Sequence, residues 1–200
     1  MNFAVLASGR GGNLQAIINA VHAGQIKAHL KVVISDKKDA YALEIAKQAK
    51  IPAYYINPKD FSDRVSLDRA IIQHLHEYHV DFVVLAGYMR LVSSYFVDQY
   101  PNKILNIHPS LLPAFKGMHA MKDAFEYGAK VTGATVHFVV EQMDEGAVIV
   151  QEPVRIESND TLESLAEKIH AAEHRIYPQA IELLVNGKLK IEGRKVILKN

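Results

Sequence analysis

The sequence predicts an α/β fold: a mostly parallel, doubly wound sheet, extended by mixed or antiparallel strands in its C-terminal half. Three observations predict it. Short apolar runs alternate with amphipathic stretches up to about residue 105, the βαβ rhythm that calls for parallel strands and right-handed crossovers. Those runs are continuously apolar, as strands covered on both faces must be. After residue 108 the rhythm gives way to two long β-prone segments around a turn.

Taken in order, residues 2–8 form a first buried strand that ends at Ser8-Gly9. The turn GRGG follows, and Asn13 can cap a helix running through Leu14, Ile17, Ile18 and Val21 to Gly24. LKVVIS at 30–35 reads as a second strand, 39–50 as a helix, and AYYI at 53–56 as a third strand closed by the turn NPKD. Between 62 and 79, Val65, Leu67, Ile71, Leu75 and Tyr78 fall at amphipathic-helix spacing. DFVVLA at 81–86 is a fourth strand, 93–100 a short helix, and KILNI at 103–107 a fifth strand. The proline-containing segment 108–117 is a loop, and 118–128 a helix. Segments 131–140 and 147–156 flank the turn QMDEG, the arrangement of an antiparallel or mixed extension. Residues 161–186 are helical, with Pro178 expected to bend or break the helix, and KLKIEGRKVILKN reads as a closing hairpin. No repeat or flexible linker divides the chain, so residues 1–200 are read as one unit whose halves, about 1–105 and 106–200, share a sheet.

Composition narrows the function. The chain is 49% hydrophobic and 22% charged, with 23 basic and 22 acidic residues for a net charge of +1. That balance is ordinary for a globular protein and lacks the basic surplus of a broad nucleic-acid footprint. With no cysteine, disulfides, thiolate metal sites and a thiol nucleophile are excluded. The start MNFAVLAS is not a signal peptide, and no apolar run approaches the roughly 18 residues of a membrane span, so a cytoplasmic location is expected. The partners expected are small molecules, with neither nucleic acid nor membrane. A monomer and a weak homodimer both fit.

In open parallel sheets, ligands bind beyond the carboxyl ends of the strands. Segments 8–13, 86–92 and 106–117 all fall there. The GRGGN turn can aim backbone N–H groups at a phosphate beside a helix N-terminus, although glycine also serves tight turns on steric grounds alone. Asp36, closing the second strand, would suit a dinucleotide ribose, but Leu14 stands where that motif needs a third small residue, so a monophosphate fits better. Asn106 and His108 lie on one side of an extended segment, an amide and an imidazole able to stabilise an oxyanion or move a proton. A structural histidine is the competing reading. On residue type alone, Asp144 is a turn aspartate and His137 a core histidine. Glu173 falls among Leu162, Leu165, Ile169, Ala172 and Ile176, so its carboxylate points along a stripe that should be buried and must face a polar cleft or a salt bridge. Of His74, His76 and His79, only the last two share a helix face, which is no metal set.

Five stretches carry a family resemblance: ASGRGGNLQAII at 7–18, LAGYMRLVS at 85–93, LNIHPSLLPAFKG at 105–117, TGATVHFVVEQMDEGAVIVQ at 132–151 and AEHRIYP at 172–178. On these the chain resembles the folate-dependent glycinamide ribonucleotide formyltransferases over essentially its whole length. The resemblance implies a Rossmann-like first half binding a ribonucleotide and a second half completing a folate cleft. It implies 10-formyltetrahydrofolate as co-substrate and no metal. Asn106, His108 and Asp144 match the family's catalytic trio, with Asp144 favouring the protonated imidazole, and His137 stands behind them. Gly11, Gly12 and Asn13 match its phosphate turn, and Glu173 a ribonucleotide contact. Arg64, Met89, Arg90, Leu91, Val92 and Asn106 match folate contacts. The resemblance also implies a cis Leu112–Pro113 bond. Two departures stand out: Gly12 stands where the family commonly has Ser, with Arg10 either compensating at the phosphate or pointing into solvent, and Ala114-Phe115 stand where the family commonly has a basic residue together with an aromatic. Related methionyl-tRNA formyltransferases are expected to carry a further basic domain and formyl-folate hydrolases an N-terminal regulatory one.

Overall fold

The computed structural model describes residues 1–199. Its strands are β1 (Asn2–Leu6), β2 (His29–Ser35), β3 (Ala53–Tyr55), β4 (Phe82–Leu85), β5 (Ile104–His108), β6 (Val131–Phe138), β7 (Val148–Arg155), β8 (Leu189–Glu192) and β9 (Lys195–Leu198). The helices are α1 (Gly12–His22), α2 (Tyr41–Gln48), α3 (Arg64–Glu77), α4 (Ser94–Gln99), α5 (Ala120–Tyr127) and α6 (Leu162–Val185). All nine strands join one sheet in the order β3-β2-β1-β4-β5-β6-β7-β9-β8. The first five are parallel, whereas β6 runs antiparallel to both β5 and β7. The β8–β9 hairpin adds to β7 through a single parallel pair, Val148 with Lys195. The α/β class and the antiparallel extension are therefore as expected.

Alternation along β1 shows why helices cover both faces. Phe3 and Val5 enter one apolar cluster with Leu14, Ile17, Ile45, Ile169 and Ile176, while Ala4 and Leu6 enter another with Leu67, Ile71, Leu75 and Phe96. Both clusters exclude water, so each strand must be apolar on both sides, which is the continuous pattern seen in the sequence.

Four local expectations need correction. Asn13 does not cap α1: the cap is Gly11 in the left-handed region at φ 76°, and the Asn13 amide reaches elsewhere. Val65 is exposed on α3, whose buried stripe is Leu67, Ile71, Ile72 and Leu75 behind an Asp63–Ser66 capping box. His79 lies beyond the end of α3 with φ 50°, so it shares no helix face with His76. Pro178 neither breaks nor ends α6, which continues to Val185. The proline removes one N–H, but Leu165, Ile169, Ile176, Ala180 and Ile181 are all buried along the same helix. Burying several large apolar side chains, each worth about 1.5–3 kcal/mol, exceeds the roughly 3 kcal/mol cost of an internal proline. Tyr177 fixes the helix further, its buried hydroxyl donating to the Leu85 and Leu105 carbonyls of β4 and β5 at 2.9 and 3.0 Å.

Candidate active site

The carboxyl ends of β4 and β5 open into a cavity of about 380 Å³. Met89, Arg90, Leu91 and Val92 line one wall, and Asn106, His108, His137 and Asp144 another. Strand pairing explains the second group. Asn106 and His108 are two residues apart on β5, and β6 places His137 directly opposite Asn106. Asp144 arrives from the turn between β6 and β7, far from the solvated position that a turn suggests, with its side chain only 7% exposed. Gly146 permits that path, because a Cβ there would sit 1.6 Å from the Phe138 carbonyl oxygen. The backbone N–H of Gly117 donates to Asp144 Oδ2 at 2.9 Å, tying the turn to the loop after β5. In that loop the Leu112–Pro113 bond is cis, in line with the expectation.

Within this group the polar atoms form a connected set. His108 Nδ1 lies 3.5 Å from Asp144 Oδ1, and its Nε2 lies 2.8 Å from the Phe115 carbonyl oxygen. Both ring nitrogens thus face acceptors, an arrangement that an imidazolium satisfies and a neutral ring only half satisfies. His137 Nδ1 lies 2.8 Å from the Phe138 carbonyl oxygen, so that nitrogen donates and Nε2 accepts from the Asn106 amide at 3.2 Å. Burial holds the His137 imidazole below its ordinary value, against the opposing pull of the Phe138 carbonyl and Asp144. A neutral His137 therefore fixes one Asn106 N–H and leaves the other amide hydrogen to the cavity. A core histidine and an orienting one are here the same residue.

A second group forms around the glycine turn. Gly11 cannot carry a side chain: its φ is 76° and a Cβ would lie 2.8 Å from Ile45 Cδ1 and 3.0 Å from Ala42 Cα. The Asn13 amide donates to Glu173 Oε2 at 2.9 Å, and Glu173 is 4% exposed on α6. Burial pushes its carboxyl up to about 7, with the Asn13 hydrogen bond pulling the other way. The polar-cleft reading of Glu173 thus fits better than a salt bridge, since no cation pairs with it among the described residues. Arg64 joins neither group: it is exposed at the start of α3 and its reach extends to the field around Asp68, which Arg90 shares.

Sequence reasoning missed His170 and His174. Their i, i+4 spacing on α6 places both on the face toward the turn, a signal that was legible. A Cβ on Gly12 would stand 2.9 Å from His174 Nε2, so the imidazole fills the space a serine side chain would need. Partial burial lowers both imidazoles, with Arg10 adding to the effect at His170 and His170 at His174. Asp36 is also not what a dinucleotide site would have: it is 5% exposed and accepts from the Ser8 hydroxyl at 2.5 Å.

This geometry sits in a chain with clear relatives. The model of the formyl transferase family matches residues 1–181. A phosphoribosylglycinamide formyltransferase of Haemophilus influenzae is 44% identical over 195 residues, covering 98% of this chain and 92% of that protein. The chain belongs to the phosphoribosylglycinamide formyltransferase family. The crystal structure of glycinamide ribonucleotide transformylase 1 from Symbiobacterium toebii superposes with a TM-score of 0.98 at 48% identity, covering 100% of this chain and 94% of that one. The trifunctional purine biosynthetic protein adenosine-3 of Bos taurus is 45% identical over 188 residues, 94% of this chain, which spans only 19% of that longer protein. One continuous sheet supports both groups, the first from β5, β6 and the turn after β6, the second from the turn after β1 and from α6. Among the described residues no helix is long and apolar enough to cross a membrane.

Proposed function

We propose that the chain transfers the formyl group of 10-formyltetrahydrofolate to the amine of N1-(5-phosphoribosyl)glycinamide, in purine synthesis. The observation that carries this reading is the Asn106, His108 and Asp144 set at the wall of a cavity, with the Gly11–Asn13 turn following β1, the strand next to β4, and Glu173 bonded to Asn13. An apolar cavity with a few convergent polar groups suits a flat pterin-like ring, and a glycine turn at a helix N-terminus suits a phosphate. The names of the relatives support the same acceptor.

In this mechanism Met89, Arg90, Leu91 and Val92 hold the folate, with Arg64 reaching the outer end of the ligand. The glycinamide amine attacks the formyl carbon, and negative charge gathers on the former carbonyl oxygen. The free Asn106 N–H and a protonated His108 donate to that oxygen. Asp144, facing Nδ1 at 3.5 Å, orients the imidazole. Of the two acceptors on His108, the Phe115 carbonyl belongs to a loop and is the one given up as the oxyanion forms. The bond from the formyl carbon to N10 then breaks, the amine loses a proton, and N10 gains one. No covalent bond to the protein is needed.

Mixing the protein with the ribonucleotide and 10-formyltetrahydrofolate should release deformylated folate in step with formylated ribonucleotide. Folate release that ignores the ribonucleotide would make the chain a hydrolase and overturn the proposal.

Arg10 is the cation nearest the turn, exposed one residue before Gly11. Arg10→Ala is expected to raise the ribonucleotide KM several-fold at low ionic strength, with kcat unchanged, because guanidinium suits phosphate geometry. Added salt should shrink the difference. Unaltered KM at low salt would mean that the backbone turn and the α6 histidines hold the phosphate alone. Gly12→Ser should not restore the loss cleanly, since the new side chain must displace His174.

A further inference from the structure

β1 and β4 are parallel neighbours, and the two ligand segments leave from their adjacent carboxyl ends. Beyond the strands the chains stay bonded: Ser8 N–H donates to the Gly87 carbonyl at 3.0 Å. The Ser8 hydroxyl then does two things. It accepts from the Met89 N–H at 2.8 Å and donates its single hydrogen to Asp36 Oδ1 at 2.5 Å. Ser8 begins the turn assigned above to the ribonucleotide, and Met89 begins the wall assigned to the folate. Asp36 has no other hydrogen-bond partner among the described residues, although it is 5% exposed and closes β2. A buried carboxylate with one partner is costly. What it accomplishes is to fix the direction of one hydroxyl, so that a lone pair always faces Met89.

The far end of the same wall has a separate anchor. Ser93 N–H donates to Asp68 Oδ2 at 2.6 Å, and Asp68 is 1% exposed on α3. Residues 89–92 are therefore pinned at both ends through backbone N–H groups, but only the Ser8 end is shared with the glycine turn.

We infer that Ser8, oriented by Asp36, is a positioning residue that couples the two substrate sites, so that filling one pre-organises the other. The inference rests on the two-substrate reading above. Any ligand that tightens the turn through Gly11–Asn13 draws on Ser8 and thereby settles Met89, and the reverse must hold equally, because coupling between two binding equilibria is reciprocal.

The test is a titration of the whole chain with a non-transferring folate analogue, with and without saturating glycinamide ribonucleotide. In the wild type, ribonucleotide should tighten analogue binding about five- to tenfold, within the usual range of coupling between sites. Ser8→Ala should bring that ratio to within about twofold of unity, and Ser8→Thr, which keeps the hydroxyl, should restore it. Asp68→Asn should weaken the analogue in both titrations and leave the ratio intact. A merely structural role for Ser8 would lower both affinities and keep the ratio, and that result overturns the inference, as does a wild-type ratio near one. If Ser8→Ala does not fold, Asp36→Ala gives the same reading, because it frees the hydroxyl to turn away from Met89. Failure of the wild type to bind either ligand would sink the two-substrate reading itself, a different result from binding without coupling.

Discussion

Replacing Asp144 with Asn should lower kcat by about 10²–10⁴-fold, the range spanned by a general acid or base, while folate-analogue affinity changes little. The substitution keeps the volume and removes the charge. Asp144 has two engaged oxygens, Oδ2 taking the Gly117 N–H and Oδ1 facing His108 Nδ1. An asparagine that satisfies Gly117 with its oxygen must turn its NH2 toward His108. Nδ1 can then only accept, so the ring can no longer donate from both nitrogens. Nε2 keeps its N–H, which can still leave the Phe115 carbonyl for the oxyanion, but a neutral ring is a much weaker donor to that developing charge than an imidazolium. Binding should survive, because the apolar wall contributed by Met89, Leu91 and Val92 is untouched. Steady-state kinetics across pH 6–9 beside an analogue titration would measure both quantities. Turnover near the wild-type value at neutral pH would remove Asp144 from the mechanism. Members of a cooperating set also lose much of their joint effect together, so Asp144→Asn combined with His108→Ala should be little worse than the worse single variant.

How much of this was legible in the sequence depended on whether a feature is local. The strands were legible because burial on both faces leaves no polar positions, as Val32, Val33 and Ile34 or Phe82, Val83 and Val84 show. Asn106 and His108 were legible as a pair because their two-residue spacing on a strand fixes a common face. Asp144 was not, on residue type alone: a turn aspartate is ordinarily solvated, and only the long-range contact with Gly117 and His108 buries it. The pairing of Asn106 with His137 was hidden for the same reason, since it depends on the register of β5 against β6. Pro178 misled in the other direction. A local rule about helix interiors was outweighed by burial of the whole face of α6, which the local rule does not see. Asn13 was read as a cap because its type and place suit one, but a left-handed Gly11 took that position and freed the amide for Glu173.

Glu173→Gln should make the free protein more stable above neutral pH and at the same time weaken ribonucleotide binding about 10- to 100-fold. The two effects share a cause. Burial raises the carboxyl from its ordinary 4.5 to about 7, so the folded chain holds this proton more tightly than the unfolded chain does. Stability from this group is therefore greatest below pH 4.5 and is lost as pH climbs through about 7, where the ion must form in a desolvated place. The whole shift corresponds to about 3 kcal/mol, most of it missing at pH 8. Glutamine has the same shape, still accepts from Asn13, and never ionises, so its melting temperature should hold up between about pH 4.5 and 7.5 while that of the wild type declines. The carboxylate is retained despite this cost if a ligand supplies the donors it lacks. Ribose hydroxyls would do so, and hydrogen bonds to a charged group are worth about 1.5–3 kcal/mol, which sets the expected loss of affinity. Calorimetric titration should show that wild-type binding near pH 6.5 releases a proton, that the variant releases none, and that a folate analogue binds both alike. Equal loss of both ligands, or a variant that melts below the wild type at pH 8, would make Glu173 a structural residue and remove it from the ribonucleotide site.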